Sequence, residues 1–270
     1  MMLLRSEQSA NGTAFIRQPG VKATALLACL ILFASPALAQ RQSLEYNLPP
    51  GALIIETQPI KLNRSLILWM LNPRRIPRDV AEEPYTCPEE TRGNYYNGPT
   101  RVSLVDTRTR RIINTVRVRQ EYNEGVDEFD IPYLIHSGSY YHVEGVPVGL
   151  EGKPTIMRLR DYNGDGLALE FALFDALACM GLQTALIGYS ERRDRVIQYK
   201  TRLVVEEKRA RSVKIRRWVD YLFSGRPKGA GRWQYEVDYR GRGGLLAKYE
   251  IRYNRRAERF EGRVAYTEGE

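Results

Sequence analysis

The sequence predicts a mainly β protein: an antiparallel β-rich domain, sandwich-like or irregular, with about one helix near 206–223 and a C-terminal antiparallel meander. Three observations carry that expectation. Short runs that alternate apolar and polar residues recur along the chain, and proline and glycine punctuate it between them. One stretch, 206–223, instead sets Ile215, Trp218, Val219 and Leu222 at helical spacing and is closed by Ser224-Gly225.

Residues 1–39 have the form of an export signal. Arg5, Arg17 and Lys22 are positive, Ala23 to Ala34 is apolar, and Ala37-Leu38-Ala39 gives small side chains at the cleavage positions before Gln40. The apolar run falls short of the roughly 20 residues that a membrane-spanning helix needs. Cleavage near Ala39 and delivery to the periplasm or the extracellular space are therefore expected, with no transmembrane segment in the mature chain. Cys87 and Cys179 are then the only cysteines left. In an oxidising compartment a Cys87–Cys179 disulfide is expected, two buried free thiols being the alternative.

Charge divides what remains. Residues 40–190 hold 16 basic and 19 acidic side chains, whereas 191–270 hold 22 and 12. The expected organisation is a β-rich domain over 40–190 and a basic helix plus β-meander over 191–270, which the same domain can contain. A basic region of this kind suits an acidic glycan, an anionic envelope surface or an acidic protein, with nucleic acid not the expected partner.

In order along the chain, Ala52–Glu56 and Ser65–Leu71 are expected as strands, linked by a polar segment containing Pro59. From Pro73 to Pro99 five prolines and two glycines predict a long irregular loop, held by Cys87 and carrying Tyr95-Tyr96. Thr100–Asp106 and Ile112–Val118 form a hairpin pattern, and resemble one repeat of the secreted tyrosine-valine-threonine-asparagine propeller family, with no second copy. Phe129–Ile135 and Tyr140–Glu144 predict another hairpin, flanked by His136 and His142. Leu169, Leu173, Leu177 and Met180 fit a helical face, but Leu169, Phe171 and Leu173 also alternate; a strand through about Asp175 is preferred. Gln183–Tyr189 and Val196–Val205 follow as strands. After the expected helix, Trp233–Tyr239, Ala247–Tyr253 and Phe260–Tyr266 complete the meander, with Gly241–Gly244 as a turn.

One segment has the spacing of a known ion site. In Asp161-Tyr162-Asn163-Gly164-Asp165-Gly166-Leu167-Ala168-Leu169-Glu170, alternate side chains present oxygen and Gly166 permits a sharp turn. Calcium takes six to eight oxygens at about 2.3–2.6 Å, which Asp161, Asn163, Asp165, the Leu167 carbonyl and Glu170 can supply together with water. The segment resembles the Asp-x-Asn-x-Asp-Gly loops of EF-hands, dockerins and integrin-type propeller repeats, over about ten residues. It departs from both templates at the last ligand. The EF-hand glutamate position is Ala172 here, the propeller acid position is Leu169, and Glu170 stands between them. A bare hairpin turn at Asn163-Gly164 and Asp165-Gly166 is the alternative.

The chain lacks a Gly-x-Ser-x-Gly elbow, a His-Glu-x-x-His helix, a P-loop and a dinucleotide fingerprint. The function expected is that of an exported, calcium-stabilised binding or envelope-associated protein. The alternative is a secreted hydrolase of an acidic glycan using carboxylates such as Asp127, Glu128 and Asp130.

Overall fold

The computed structural model describes residues 46–76, 94–119, 128–134, 155–177, 181–207 and 210–267. The expected export signal at 1–39, Cys87, Cys179, His136, His142, Asp127 and the strand expected at 140–144 lie outside the described residues. The described residues all fall in a single compact unit.

The described chain is mainly β, in three sheets. The first joins β1 (Ala52–Lys61), β2 (Arg64–Leu71), β4 (Asn94–Asp106) and β3 (Arg74–Ile76) in that order. β5 (Arg111–Arg117) and β6 (Glu128–Leu134) also pair with β4. The long β4 makes this possible, because Arg101–Asp106 pairs with β5 and Asn94–Pro99 with β6. The second sheet has β8 (Gly181–Ser190) at its centre, with β7 (Glu170–Leu177) on one side and β9 (Arg195–Gln198) and β12 (Trp218–Asp220) sharing the other. The third runs β11 (Ala210–Arg216), β10 (Thr201–Glu207), β15 (Arg259–Thr267), β14 (Leu246–Asn254), β13 (Arg232–Asp238). All its pairings are antiparallel except β10 with β15.

The second sheet is the middle layer, which alternation along β7 makes visible. Phe171 and Leu173 pack with Leu66, Leu68, Met70, Val102 and Leu104 of the first sheet. Ala172 and Phe174, pointing the other way, pack with Leu203, Trp233, Tyr249, Phe260 and Val264 of the third. Every residue of β8 is buried. A strand covered on both faces has no wet side, so apolar residues fill both parities in Ala185-Leu186-Ile187, and its polar Gln183 and Thr184 are bonded to Asp220 and to the Val219 carbonyl of β12.

The helix expected near 206–223 is absent, and that span holds the end of β10, all of β11 and β12. The helical spacing was fortuitous. Ile215 is 59% exposed while Trp218 and Leu222 are buried, so these residues share no face. The β-branched Val213 and Ile215 alternate with Ser212, Lys214 and Arg216, and β11 turns back along β10 with Val204 opposite Val213. The meander consequently packs on the middle sheet, not on a helix. Among the described residues the only helical turn is a 3₁₀ segment at Arg240–Arg242.

Three smaller expectations also change. β1 continues through Pro59, where its register shifts, as an edge strand allows. Tyr95 and Tyr96 belong to β4, and Tyr96 packs on the core. The strand expected over Val196–Val205 is two strands. The Tyr199 N–H still bonds the Leu186 carbonyl (2.9 Å) of the middle sheet, whereas the Lys200 carbonyl accepts from Phe260 N–H (2.9 Å) of the third.

Candidate metal centre

The loop at 161–169 begins and ends at one bridge. Arg160 N–H donates to the Glu170 carbonyl (2.8 Å) and Glu170 N–H to the Arg160 carbonyl (3.3 Å). Upstream, Glu56 Oε2 of β1 accepts from the amides of Ile156 (2.6 Å) and Met157 (3.2 Å), fixing the approach. Downstream, Glu170 is the first residue of β7.

Inside the loop the carboxylates fold the backbone around themselves. Asp161 Oδ1 accepts from Gly164 N–H (2.7 Å) and Asp165 N–H (3.1 Å), and Oδ2 from Gly166 N–H (2.9 Å). Asn163 Oδ1 accepts from Asp165 N–H (2.8 Å), and Asp165 Oδ1 from Leu167 N–H (2.9 Å). Gly164 and Gly166 adopt positive φ, 75° and 94°, which side chains resist. Short Asp and Asn side chains bonding amides two to five residues on are what draws this segment into a turn.

Glu170 lies beneath the loop. It is fully buried, and Gly188 opposite it leaves the room: a Cβ there would stand 2.6 Å from Glu170 Cγ. Its Oε1 accepts from Asn163 Nδ2 (2.8 Å) and distantly from Tyr199 Oη (3.5 Å), and its Oε2 from Tyr162 N–H (3.2 Å). Asn163 Nδ2 also donates to Asp165 Oδ2 (2.9 Å), so it bridges two carboxylates. Among the described residues no cationic side chain bonds Glu170. Burial first, and the Asp165 charge second, push its pKa up to about 8.

The loop is docked as firmly as it is folded. Tyr162 points away from the polar residues and stacks on Trp233 (ring centres 6.1 Å apart), with Phe223 edge-on at 5.6 Å. Gly164 and Gly231 interlock: a Cβ on Gly164 would lie 2.2 Å from Gly231 N, and one on Gly231 2.2 Å from the Asn163 carbonyl. Arg255 Nη2 donates to the Gly164 carbonyl (3.1 Å). The loop thus belongs to the middle sheet through Glu170 and touches the third through Tyr162, Gly164 and Arg255.

Comparison with known protein families, curated proteins and solved structures finds no match. The site has to be judged on its own atoms.

Of the residues expected to meet an ion, the structure brings Asn163, Asp165 and Glu170 into direct contact and puts Asp161 on the same turn. Among the described residues, no three histidine, cysteine or acidic side chains are grouped to hold a metal as they stand. The carboxylates are turned toward loop amides instead. The chemistry of the donor set nevertheless fits calcium. An ionised carboxylate has about four lone-pair positions, so Asp165 and Glu170 keep some unfilled, and three acidic groups share ten residues with one of them buried. The sequence pattern did not single out Tyr162, Tyr199, Gly188 or Gly231. Only Tyr162 carried a signal, as an aromatic residue inside an otherwise polar turn.

The other acids named from sequence, Glu128 and Asp130, start β6. The expected Gly241–Gly244 turn is present, with Gly243 at φ 78°. No helix among the described residues is long and apolar enough to cross a membrane.

Proposed function

We propose that the chain is an exported, calcium-stabilised binding or envelope-associated protein, in which a calcium ion over residues 161–170 completes the attachment of the third sheet to the middle one. The observation that carries this reading is Glu170: a fully buried carboxylate, beside Asp165, with no cation bonded to it among the described residues. Such a group must be neutralised by a proton or by an ion, and its neighbours are the oxygen donors that a hard divalent cation prefers. Asp161, Asp165, Glu170, the Leu167 carbonyl and the Asn163 side-chain oxygen would hold the ion. Bound calcium would supply charge neutralisation and crosslinking, not a reaction. A scaffold of stacked sheets with a basic C-terminal region, and without a recognised catalytic motif, suits binding better than turnover.

Thermal melting tests this. Extracellular calcium sites bind at about 10⁻⁴ M, so about 1 mM calcium stabilises by roughly 1.4 kcal/mol, or about 3–6 °C for a domain of this size. Magnesium, which keeps its water and demands a tighter octahedron, should do much less. Asp165→Ala should keep the fold and lose most of the calcium response. Identical wild-type melting in calcium and in chelator, with no heat of binding, would leave residues 161–170 as a turn.

A further inference from the structure

The end of the molecule that carries the loop at 161–169 is built from hairpin turns, and four of them are bonded in a row. The β1–β2 turn meets the β4–β5 turn through Thr107 N–H, which donates to the Asn63 carbonyl (3.1 Å). Arg64 ties both to the β8–β9 turn by bonding Asp106 (2.8 Å) and Asp194 (2.9 Å). Arg192 of that turn reaches the β14–β15 turn, where it bonds Glu258 and the Arg256 carbonyl (3.1 Å). The turns therefore form one continuous face across the ends of all three sheets. By register, Ile76, Leu177, Glu207 and Thr267, after which the described chain breaks off, lie at the opposite end.

Charge on this face is unbalanced. Residues 61–64, 106–110, 191–194 and 255–258 hold eight cations and four acids. All four acids are bonded within the face: Asp106 and Asp194 to Arg64, Glu191 to Lys61 (3.7 Å), and Glu258 to Arg192 and Arg193. Arg108, Arg110 and Arg256 are exposed, and among the described residues no carboxylate pairs with them. Asp161 and Asp165 stand at the third-sheet margin, with their oxygens turned to loop amides.

The same face carries exposed apolar groups. Leu62, at the tip of the β1–β2 turn, is 88% exposed, the most of any large hydrophobic residue described, and Leu167 in the loop is 41% exposed. Asn63, at φ 59°, supplies the left-handed residue that the turn needs, whereas Leu62 serves neither the turn nor the core. Leu62 borders an open hollow of about 500 Å³, which Lys61, Arg64, Arg108 and Tyr189 also line.

We propose that this end of the molecule docks on an anionic lipid surface. Leu62 enters the boundary between headgroups and acyl chains, Arg108, Arg110 and Arg256 meet lipid phosphates, and the hollow beside Leu62 receives a headgroup. Interfacial binding adds apolar burial to attraction for anionic lipid, and this face presents both. A soluble polyanion would satisfy the cations and leave Leu62 in water. The inference rests on the envelope-associated reading above, which it narrows to a lipid surface, and it is independent of the ion.

The test is sedimentation of the chain from Gln40 onward with vesicles of phosphatidylcholine, alone or mixed with phosphatidylglycerol, at low salt and in chelator. The chain should bind the mixed vesicles, release as salt rises, and ignore the neutral ones. Leu62→Trp should show blue-shifted emission on mixed vesicles but not on heparin. Leu62→Asp should keep the wild-type melting temperature and heparin retention while weakening vesicle binding. Arg108→Glu with Arg110→Glu should weaken vesicle binding about tenfold or more. Arg211→Glu with Lys248→Glu, the same charge change at the opposite end, should weaken it far less. The proposal is overturned by absence of binding to mixed vesicles, by an unshifted Leu62→Trp spectrum on vesicles that do bind, or by equal losses from the two charge-reversed pairs. Failure here leaves the calcium-dependent melting shift in place, and absence of that shift leaves vesicle binding in place, so the two readings fail separately.

Discussion

The middle sheet has two interfaces, and they are built from different materials. Toward the first sheet it meets aliphatic side chains: Leu66, Leu68, Met70, Val102 and Leu104 against Phe171, Leu173 and Ile187. One polar link across that side is a neutral amide: Asn114 Nδ2 donates to the Val196 carbonyl (2.8 Å) while its Oδ1 accepts from Val196 N–H (3.0 Å). Toward the third sheet it meets rings. Phe223, Trp233, Phe260, Tyr199 and Tyr253 pack edge-on or tilted at 5.2–6.2 Å, and two carboxyl groups lie on this side, the buried Glu170 against Tyr199 and the half-buried Asp220 against Tyr249. The first interface depends mainly on burial, with polar links at its edge. The second also depends on the charge state of what it buries, which makes it the interface that ions and protons can adjust.

The largest effect should come from the burial-driven side. Phe171 is fully buried, and Phe171→Ala removes a ring from a close-packed aliphatic core. The expected loss is about 3–5 kcal/mol, read by urea denaturation, with little dependence on pH between 5 and 8. A loss below about 1 kcal/mol would mean that this interface is not held by packing.

How far the sequence foretold this difference can be traced residue by residue. β13, β14 and β15 were legible because Trp233, Tyr235 and Val237 alternate with Gln234, Glu236 and Asp238, and a sheet with one wet face writes that period into its sequence. β7 was ambiguous for the opposite reason: both of its faces are buried, so apolar residues fill both parities and fit a helix equally well. β11 misled because an edge strand has little burial to enforce a pattern, leaving the spacing of Ile215, Trp218 and Leu222 to chance. The loop was legible as a turn, since Asp161, Asn163 and Asp165 at alternate positions beside Gly164 and Gly166 are residues that bond nearby amides. Its docking was not. Gly231 and Tyr199 come from distant segments, and only the tertiary fold brings them beneath it.

A smaller effect should appear on the charged side at Asp220. Its Oδ2 accepts from Tyr249 Oη (3.2 Å) and its Oδ1 from Gln183 Nε2 (3.4 Å), and burial holds its pKa above the ordinary carboxylate range. A carboxyl whose folded pKa is raised binds its proton more readily in the folded state. Its contribution is therefore full below the unfolded value near 4 and is lost as pH rises through the folded one. Asp220→Asn should flatten that part of the stability profile, changing stability by about 1 kcal/mol. An unchanged profile in urea titrations from pH 4 to 8 would exclude Asp220 as the source.

The smallest effect, and the one of opposite sign, belongs to a clip at the far edge of the first interface. Arg64, which opens β2, reaches Asp106 Oδ2 at the end of β4 (2.8 Å) and Asp194 in the turn before β9, with Nη2 to Oδ2 at 2.9 Å and Nε to Oδ1 at 3.2 Å. Tyr189 Oη donates to Asp194 as well (2.7 Å). The Arg64 hydrogen bonds come first, and the Tyr189 hydroxyl second, in lowering the Asp194 pKa to about 2. A depressed carboxylate stabilises above its unfolded pKa and loses that contribution as pH falls through the folded one, so this clip fails between about pH 4 and 2. The Asp194 side chain is 47% exposed, so solvent and salt screen the pair and its worth is below about 1 kcal/mol. Asp194→Asn should therefore cost less than about 1 kcal/mol at neutral pH, and the difference from wild type should vanish as pH falls toward about 2 and also in about 1 M salt. If Asp194→Asn instead costs as much as Phe171→Ala at neutral pH, the first interface is electrostatic after all, and the contrast between the two faces of the middle sheet does not hold.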